Sequence, residues 1–226
     1  MRCYMKKIIS IFIILSGLGV MAYPKAADYV EAYHQDKLLK QWESEMASTS
    51  NEGPISSGSA EETAQTSYIN LDDVFNPSAR TSEVAASERE RSENALGSNM
   101  LGIITIDVIN VNLPILRGAS QYNLKYGAGH LNGTAIPGKT GNSAIAAHRS
   151  REQGKMFNRL GELQMGDAIT VKTRSGTFQY KVTDTKVVEP TDLSVLQESD
   201  EEILTLITCD PIENPVNRLI VRAEMQ

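Results

Sequence analysis

The sequence predicts an all-β fold, a single barrel or sandwich, for the C-terminal half of the chain. From Leu101 onward, short apolar runs alternate with turn-forming residues, and helical periodicity is brief. Seven runs are strand-like: LGIITID, VNLPIL, NSAIAAH, DAITVKT, TFQYKVTDTKVV, ILTLITC and NRLIVRA. The turn signals between them include PGKTGN, MGD, RSG and DPIENPVN. About seven or eight short strands with few helices are typical of such a domain.

The length and net charge of the chain limit the size of its core and the kinds of partner that it binds. The chain has 226 residues, 41% hydrophobic, with a formal net charge of −6. This is enough for one sizeable core plus appendages. A modestly acidic balance gives no electrostatic reason to expect a nucleic-acid partner. We also expect no cofactor and no bound metal.

The first residues predict export. Arg2 and Lys7 flank an uncharged run from Ile8 to Tyr23 that is rich in Ile and Leu. A basic flank before an apolar run directs insertion with the basic end inside the cell. The run is shorter than the ~20 residues of a comfortable span, so a signal anchor over residues 1–24 and a cleaved signal peptide both remain open.

Three further segments follow. Residues 25–47 are dense in helix formers and predict a helical stalk, with a solvated stalk favoured slightly over a packed one. Residues 48–67 are small and polar and predict a flexible linker, which the N-terminal extension to residue 99 continues. Within that extension, Tyr68, Ile69, Leu71 and Val74-Phe75 are able to dock on a groove. The folded C-terminal domain is predicted over residues 100–226.

Cys209 is a lone thiol in the exported part, since Cys3 precedes the apolar run. Most lone cysteines are inert buried residues, but an unpaired thiol in an oxidising compartment is also a candidate nucleophile. In ILTLITC the alternation puts Thr205, Ile207 and Cys209 on one face, and Asp210-Pro211 ends the strand. Cys209 is therefore expected at the mouth of a strand, beside a loop.

Two other polar residues stand at strand ends. NSAIAAH leads to His148 with small side chains, and NRLIVRA begins with Arg218 after a loop. A thiol, an imidazole and a guanidinium are what a cysteine acyl transferase needs, for attack, proton transfer and oxyanion stabilisation. If the Cys209 strand and the final strand pair antiparallel, Arg218 lies opposite Cys209 and Arg222 opposite Thr205.

These residues carry a resemblance to a known family. Leu204-Thr205-Leu206-Ile207-Thr208-Cys209, followed by an Arg that opens an apolar strand, resembles the sortase signature T-L-x-T-C…R. Ala147-His148-Arg149 is similar to the family's small residue-His-Arg motif. Gly127-Ala128-Gly129-His130, Gly133-Thr134-Ala135 and Pro137-Gly138 resemble its G-x-G-H…G-T-A-x-P-G segment. The resemblance spans about residues 100–224.

The resemblance implies a closed eight-stranded sortase β-barrel and a transpeptidase reaction. An L-P-x-T-x type sorting motif of a surface protein would be cleaved through a thioacyl intermediate on Cys209. An amine of the cell wall or of a pilin would then resolve it. His148 and Arg218 would be the other catalytic residues, and Ala147 and Thr208 would line the substrate site. The segment Val188–Ile203 would be the β6/β7 loop that receives the motif.

The subclass is less well defined. The stretch from Val182 to Leu196 and the absence of a C-terminal membrane segment resemble class D sortases, membrane-bound with the catalytic domain outside the cell. Class C pilin polymerases resemble the chain in the core, but usually carry a lid of Asp-Pro-aromatic form. The nearest string, from Asp73 to Pro77, has a different order, so a lid is not expected, although Phe75 is able to cover the site.

Other readings stay open. In a papain-like thiol peptidase the Cys starts a helix and precedes the His, the reverse of the order here. A non-enzymatic exported β-barrel binding module would carry an inert Cys209. The acidic residues 198–202 are expected to be a solvated loop rather than a calcium site. His130 is expected to be structural.

Overall fold

The computed structural model describes residues 29–46, 60–75, 99–152, 155–212 and 215–226. Helix α1 covers residues 29–46, and α2 (Ala60–Ile69), α3 (Leu71–Phe75) and α4 (Gln121–Tyr126) follow. The strands are β1 (Met100–Ile106), β2 (Val111–Arg117), β3 (Ala128–His130), β4 (Gly141–Ala146), β5 (Ala168–Thr173), β6 (Gly176–Val188), β7 (Glu202–Asp210) and β8 (Asn217–Met225).

The strands form a closed barrel in the order β1-β2-β3-β4-β7-β8-β6-β5. The prediction of a closed eight-stranded barrel is therefore confirmed. Two pairs, β2 with β3 and β4 with β7, are parallel, and the other pairs are antiparallel. The parallel pair of β4 and β7 matters for the site because both strands then end at the same edge of the barrel.

Alternation along each strand separates an inner from an outer face. The inner side chains form one hydrophobic cluster that includes Ile145, Leu206 and Val221. A second cluster includes Ala146, Ile207 and Cys209, which alternate with those residues and so face outward. The outer face of β4, β7 and β8 is therefore apolar and needs a cover.

Residues 60–75, the covering segment, provide that cover. Tyr68 of α2 and Leu71, Val74 and Phe75 of α3 are buried in the outer cluster, whereas Ile69 is 53% exposed. The predicted docking of these residues is confirmed except at Ile69. The flexible linker predicted over 48–67 is wrong for residues 60–67, which are helical. A Cβ at Gly133 would overlap the backbone of α2, which shows how closely α2 approaches the barrel.

Helix α1 packs on another part of the barrel wall. Leu38 and Trp42 are 3% and 1% exposed, in a cluster with Met100, Ile103 and Leu116. The Arg174 guanidinium lies 4.7 Å from the centre of the Trp42 ring and pairs with Glu45 at 2.8 Å. This packing differs from the solvated stalk that the composition favours, since two large apolar side chains in α1 find partners on the barrel.

The predicted anchor, Ile8 to Tyr23, lies outside the described residues, as do residues 48–59 of the predicted linker and residues 76–98 of the predicted extension. Among the helices in the part of the chain that the structure describes, none is long and apolar enough to cross a membrane.

Candidate active site

Cys209 and Arg218 are direct partners in the antiparallel ladder of β7 and β8. Arg222 is paired with Thr205 in the same ladder, as the loop between the strands predicts. Both Cys209 and Arg218 are buried, at 6% and 1% exposure. The structure therefore brings the predicted nucleophile and the predicted oxyanion donor together and leaves Arg222 four residues further along β8.

His148 lies two residues beyond the end of β4, not on its last residue. The pairing of Ala146 with Ile207, continued by the Ala147 N–H donating to the Ile207 carbonyl at 3.1 Å, puts His148 level with Cys209. Neighbouring strands are ~4.8 Å apart, and both side chains continue the outer face. The imidazole is thus placed on one side of the thiol and the guanidinium on the other.

Thr208 holds this arrangement from inside the barrel. Its hydroxyl, fully buried, donates to the Ala147 carbonyl at 2.8 Å. This bond ties the residue before Cys209 to the residue before His148. The Thr208 side chain therefore faces away from the thiol, because it alternates with Cys209 along β7.

Helix α3 covers the three residues. Asp72 accepts a hydrogen bond from Arg218 Nη2 at 2.5 Å. The Phe75 ring lies 5.4 Å from the His148 ring, edge to face, and 5.1 Å from the Arg218 guanidinium. Phe75 thus contacts the candidate acid/base and the candidate oxyanion donor at once. The order of residues from Asp73 to Pro77 predicted no lid. Asp72 and Phe75 nevertheless cover the candidate site as a lid does.

Burial shifts the pKa values of Cys209 and His148. It raises the pKa of the Cys209 thiol to about 11; Arg218 and Arg149 act in the opposite direction, and Asp72 reinforces the rise. Burial also lowers the pKa of His148 below its usual value. Burial disfavours the charged forms of both the thiol and the imidazole. In the covered state it therefore favours the neutral thiol and the neutral imidazole.

Arg149 binds the end of β7, next to the thiol. Its guanidinium donates to the Cys209 carbonyl at 3.3 Å and forms an ion pair with Asp210. Arg149 is therefore not a solvated charge, because its side chain is only 16% exposed and both of its partners are the last residues of β7.

The predicted sorting-motif segment is only partly near the thiol. Val188 is paired with Arg218 in the ladder of β6 and β8 and packs on the outer cluster. Ile203 lies six residues before Cys209 on β7, about 20 Å away at ~3.3 Å per residue. The segment between them includes a 3-10 turn, Leu193–Leu196. The apolar side chains of this turn pack in the outer cluster, together with those of the covering segment.

Asn142 is a positioning residue that the sequence reasoning did not single out. Its side-chain amide donates to the carbonyls of Val195 at 2.9 Å and Gln197 at 3.2 Å, and its oxygen accepts from the Thr205 hydroxyl at 2.7 Å. The residue is 5% exposed. The only signal available in the sequence was strand alternation, which places Asn142 on the same face as Ala144 and Ala146.

His130 is separate from this site. It is paired with Ile145, whose side chain faces the barrel interior, and the His130 ring bonds to the Ala135 carbonyl at 2.8 Å. Burial lowers the pKa of His130 to about 4. These contacts favour the structural role expected for it.

The arrangement suits acyl transfer chemically. A thiol next to an imidazole forms a nucleophile and a proton carrier, and a buried guanidinium opposite the thiol is placed to stabilise an oxyanion. Among the described residues, no group of three or more His, Cys, Asp or Glu side chains is arranged to hold a metal ion.

The sequence is similar to known proteins over its barrel. A family model described as a sortase domain matches residues 104–226. Sortase A of Listeria monocytogenes is 29% identical over 127 residues, which cover 56% of this chain and 57% of that protein. Sortase D of Bacillus subtilis is 33% identical over 124 residues, covering 53% of this chain and 61% of that protein. The chain thus matches less than two thirds of either relative's length.

Solved structures are similar over more of the chain. A pilus-related sortase C of Group B Streptococcus has a TM-score of 0.61 and 26% identity, covering 83% of this chain and 96% of that one. Sortase A of Listeria monocytogenes has a TM-score of 0.53 and 29% identity, over 57% of this chain and 88% of that one.

Proposed function

Because the chain belongs to the sortase family, we propose that it is a cysteine transpeptidase that anchors surface proteins. Its first substrate is a protein with a C-terminal sorting motif of L-P-x-T-x type. Its second substrate is an amine of the cell wall or of a pilin. The catalytic domain acts outside the cell, held at the membrane by the N-terminal segment.

Each residue of the site has a role in this reaction. The Cys209 thiol gives its proton to His148 as its sulfur attacks the carbonyl carbon of the motif's Thr, and Arg218 stabilises the oxyanion that forms there. The C–N bond breaks, His148 gives a proton to the leaving amine, and a thioester remains on Cys209. An acceptor amine then forms a new amide bond, and the thiol is released.

The observation that carries the proposal is the position of Cys209 between His148 and Arg218 at one edge of the barrel. His148 follows the end of β4 and Arg218 lies on β8, and these are the two strands next to β7. An inert core cysteine would not have a buried cation opposite it and an imidazole level with it. This arrangement supports the enzymatic function over a binding module.

Within the family, we favour a class D-like enzyme on the resemblance of residues 182–196. A class C-like pilin polymerase is the second candidate, and one observation favours it. Asp72 and Phe75 cover the catalytic residues as the lid of that class does, although in a different sequence order. Transfer to a pilin lysine would identify class C activity; transfer only to a cell-wall amine would identify class D.

Purified full-length protein with an L-P-x-T-x peptide library and amine acceptors tests the proposal. We expect cleavage after the Thr and an amide product with the acceptor. His148→Ala is expected to lower turnover by ~10²–10⁴-fold or more, whereas His130→Ala acts mainly on stability. A well-folded His148→Ala enzyme with full turnover would contradict the assignment.

A further inference from the structure

Three large apolar side chains are exposed together at the start of α1. Tyr29, Val30 and Tyr33 are 73%, 46% and 55% exposed. Exposed apolar residues that occur singly are ordinary on a protein surface, whereas a cluster of them indicates a contact. These three fall within five consecutive residues, and the other exposed large apolar side chains of the described residues each lie in a different segment. The start of α1 is therefore a candidate contact surface.

The rest of the same side of α1 is charged. Residues four, seven and eleven positions after Tyr29 recur at nearly the same angle around a helix, which puts Tyr33, Asp36 and Lys40 on the side of Tyr29. Asp36 and Lys40 form an exposed ion pair at 2.6 Å. The change from apolar to charged takes about 4.5 Å along the helix axis, from Tyr33 to Asp36. A partner of the apolar cluster therefore covers the first turns of α1 and not the whole helix.

The apolar run that we propose holds the chain at the membrane ends close to α1. Tyr23, its last residue, precedes Tyr29 by six residues. At no more than ~3.6 Å per residue, Tyr29 lies within ~22 Å of the end of the run. The run is also shorter than the ~20 residues of a comfortable span, so a second contact would add to a limited attachment. A bilayer surface is thus within reach of the cluster whenever the run is inserted.

We propose that Tyr29, Val30 and Tyr33 insert into the headgroup region of the membrane and hold the barrel in one orientation. The inference rests on the proposed attachment through the N-terminal segment and adds a membrane contact in the folded part of the chain. Tyrosine suits the headgroup region because its ring is apolar while its hydroxyl stays hydrated. The charged residues after Tyr33 stay in water, so α1 points away from the bilayer and does not lie along it.

Helix α1 is fixed to the barrel near both of its ends, so a contact at its start orients the whole domain. Near the start, the His34 ring lies 5.0 Å from the ring of Tyr126 in α4. Near the end, Glu45 pairs at 2.8 Å with Arg174, in the turn between β5 and β6. The membrane contact therefore turns the α4 side of the barrel toward the bilayer and the β5–β6 turn away from it.

Spin labels on full-length protein in phosphatidylcholine and phosphatidylglycerol vesicles test this contact. In a Cys3→Ser and Cys209→Ala background, one nitroxide is attached through Ala32→Cys or through Lys40→Cys, both exposed positions of α1. Accessibility is measured to oxygen, which concentrates in the bilayer, and to a nickel chelate that is present in water on both sides. We expect the oxygen-to-nickel ratio to be at least about threefold higher at position 32 than at position 40, because only the first turns reach the headgroups.

Serine variants then assign the contact to the apolar cluster. Tyr29→Ser combined with Tyr33→Ser, with the label kept at position 32, is expected to lower the oxygen-to-nickel ratio by about twofold or more, because the two aromatic anchors are lost. Val108→Ser combined with Met165→Ser is the matched control. It removes two side chains that are 55% and 80% exposed in other segments and leaves the ratio at position 32 unchanged.

Three results would overturn the inference while leaving the proposed attachment intact. One is an equal ratio at positions 32 and 40 in vesicle-bound protein. Another is a ratio at position 32 that the paired tyrosine variant leaves unchanged. The third is a label at position 32 that is shielded from both reagents, which would mean that a second copy of the chain covers the cluster. Full-length protein that a salt wash releases from the vesicles would overturn the attachment and this contact together, whereas the transpeptidase reaction is tested separately by peptide cleavage.

Discussion

Arg218 lies directly opposite Cys209 in the ladder of β7 and β8, and its guanidinium is 1% exposed. Arg222 lies opposite Thr205, about 13 Å further along at ~3.3 Å per residue. The two arginines share one strand and one face, yet only the first is next to the thiol. The proposed role in stabilising the oxyanion is therefore assigned to Arg218 rather than to Arg222.

Arg218→Ala and Arg218→Lys are both expected to lower the rate of peptide cleavage by ~10²–10³-fold or more, because Lys lacks the planar fork of the guanidinium. Arg222→Ala is expected to change the rate little. The measurement is kcat with saturating peptide on protein shown to be folded by circular dichroism. Equal losses at the two positions would show that the register does not decide the role.

Asp72 and Phe75 are expected to limit access to the thiol. Phe75→Ala removes the ring that contacts His148 and Arg218, and Asp72→Asn weakens the charged contact to Arg218. Both variants should react faster with a thiol reagent and cleave peptide faster. Asp73→Asn, an exposed neighbour, is the matched control. A labelling rate that Phe75→Ala leaves unchanged would mean that α3 does not cover Cys209 in solution.

The pH dependence of thiol labelling also tests whether α3 covers Cys209. Burial raises the pKa of Cys209 to about 11, so the reactive thiolate of the wild-type protein should increase with pH up to that region. Phe75→Ala reduces burial, which lowers the pKa of the thiol and moves the midpoint to lower pH. Labelling rates from pH 6 to 11 follow the rise of the thiolate in both proteins, and the rise should begin at lower pH in Phe75→Ala. Identical pH profiles would contradict burial by α3 as the cause.

Asn142 is expected to hold the 3-10 turn of the sorting-motif segment. Asn142→Ala leaves the carbonyls of Val195 and Gln197 without their donor. The KM for the sorting peptide should rise by about three- to tenfold or more, while kcat changes less, because the lost bonds lie away from the thiol. Thr205→Val, which removes the hydroxyl donor to Asn142, should act in the same direction.

Ser143→Ala is the control for this prediction. Ser143 is 1% exposed, and its hydroxyl has no partner among the residues that the structure describes. Removing that hydroxyl should therefore leave the KM nearly unchanged. A fall in kcat with a constant KM in Asn142→Ala would place its effect in the chemical step instead.

Alternation of apolar residues was enough to predict an all-β barrel or sandwich and the register of its last two strands, whereas the closed eight-stranded barrel was implied by the family resemblance. Thr205, Ile207 and Cys209 share a face because strands have a period of two, and the short loop to β8 fixes which residue Cys209 meets. Strand β3 is the element that alternation missed. It has three residues, two of them next to glycines, and pairs with β2 in parallel, so its local pattern is too short to read.

The packing of the N-terminal segments was not predictable in the same way. Arg174, the partner of Glu45, is 129 residues away, and Asp72 is 146 residues from Arg218. No periodicity links residues so far apart. Composition made residues 60–67 resemble a linker, because Ala64 and Tyr68 are buried only where α2 meets the barrel. The docking residues of the covering segment were thus readable from the sequence, but the partners that they meet at the active site were not.

The most direct test is the mass of the Cys209 peptide after incubation with an L-P-x-T-x substrate. The central claim predicts that Cys209 gains the mass of the substrate up to and including its Thr, and that an added amine removes this adduct as an amide product. The adduct should be more abundant in Phe75→Ala and absent from Cys209→Ala, which should also fail to cleave. Cleavage retained by folded Cys209→Ala protein would contradict the claim.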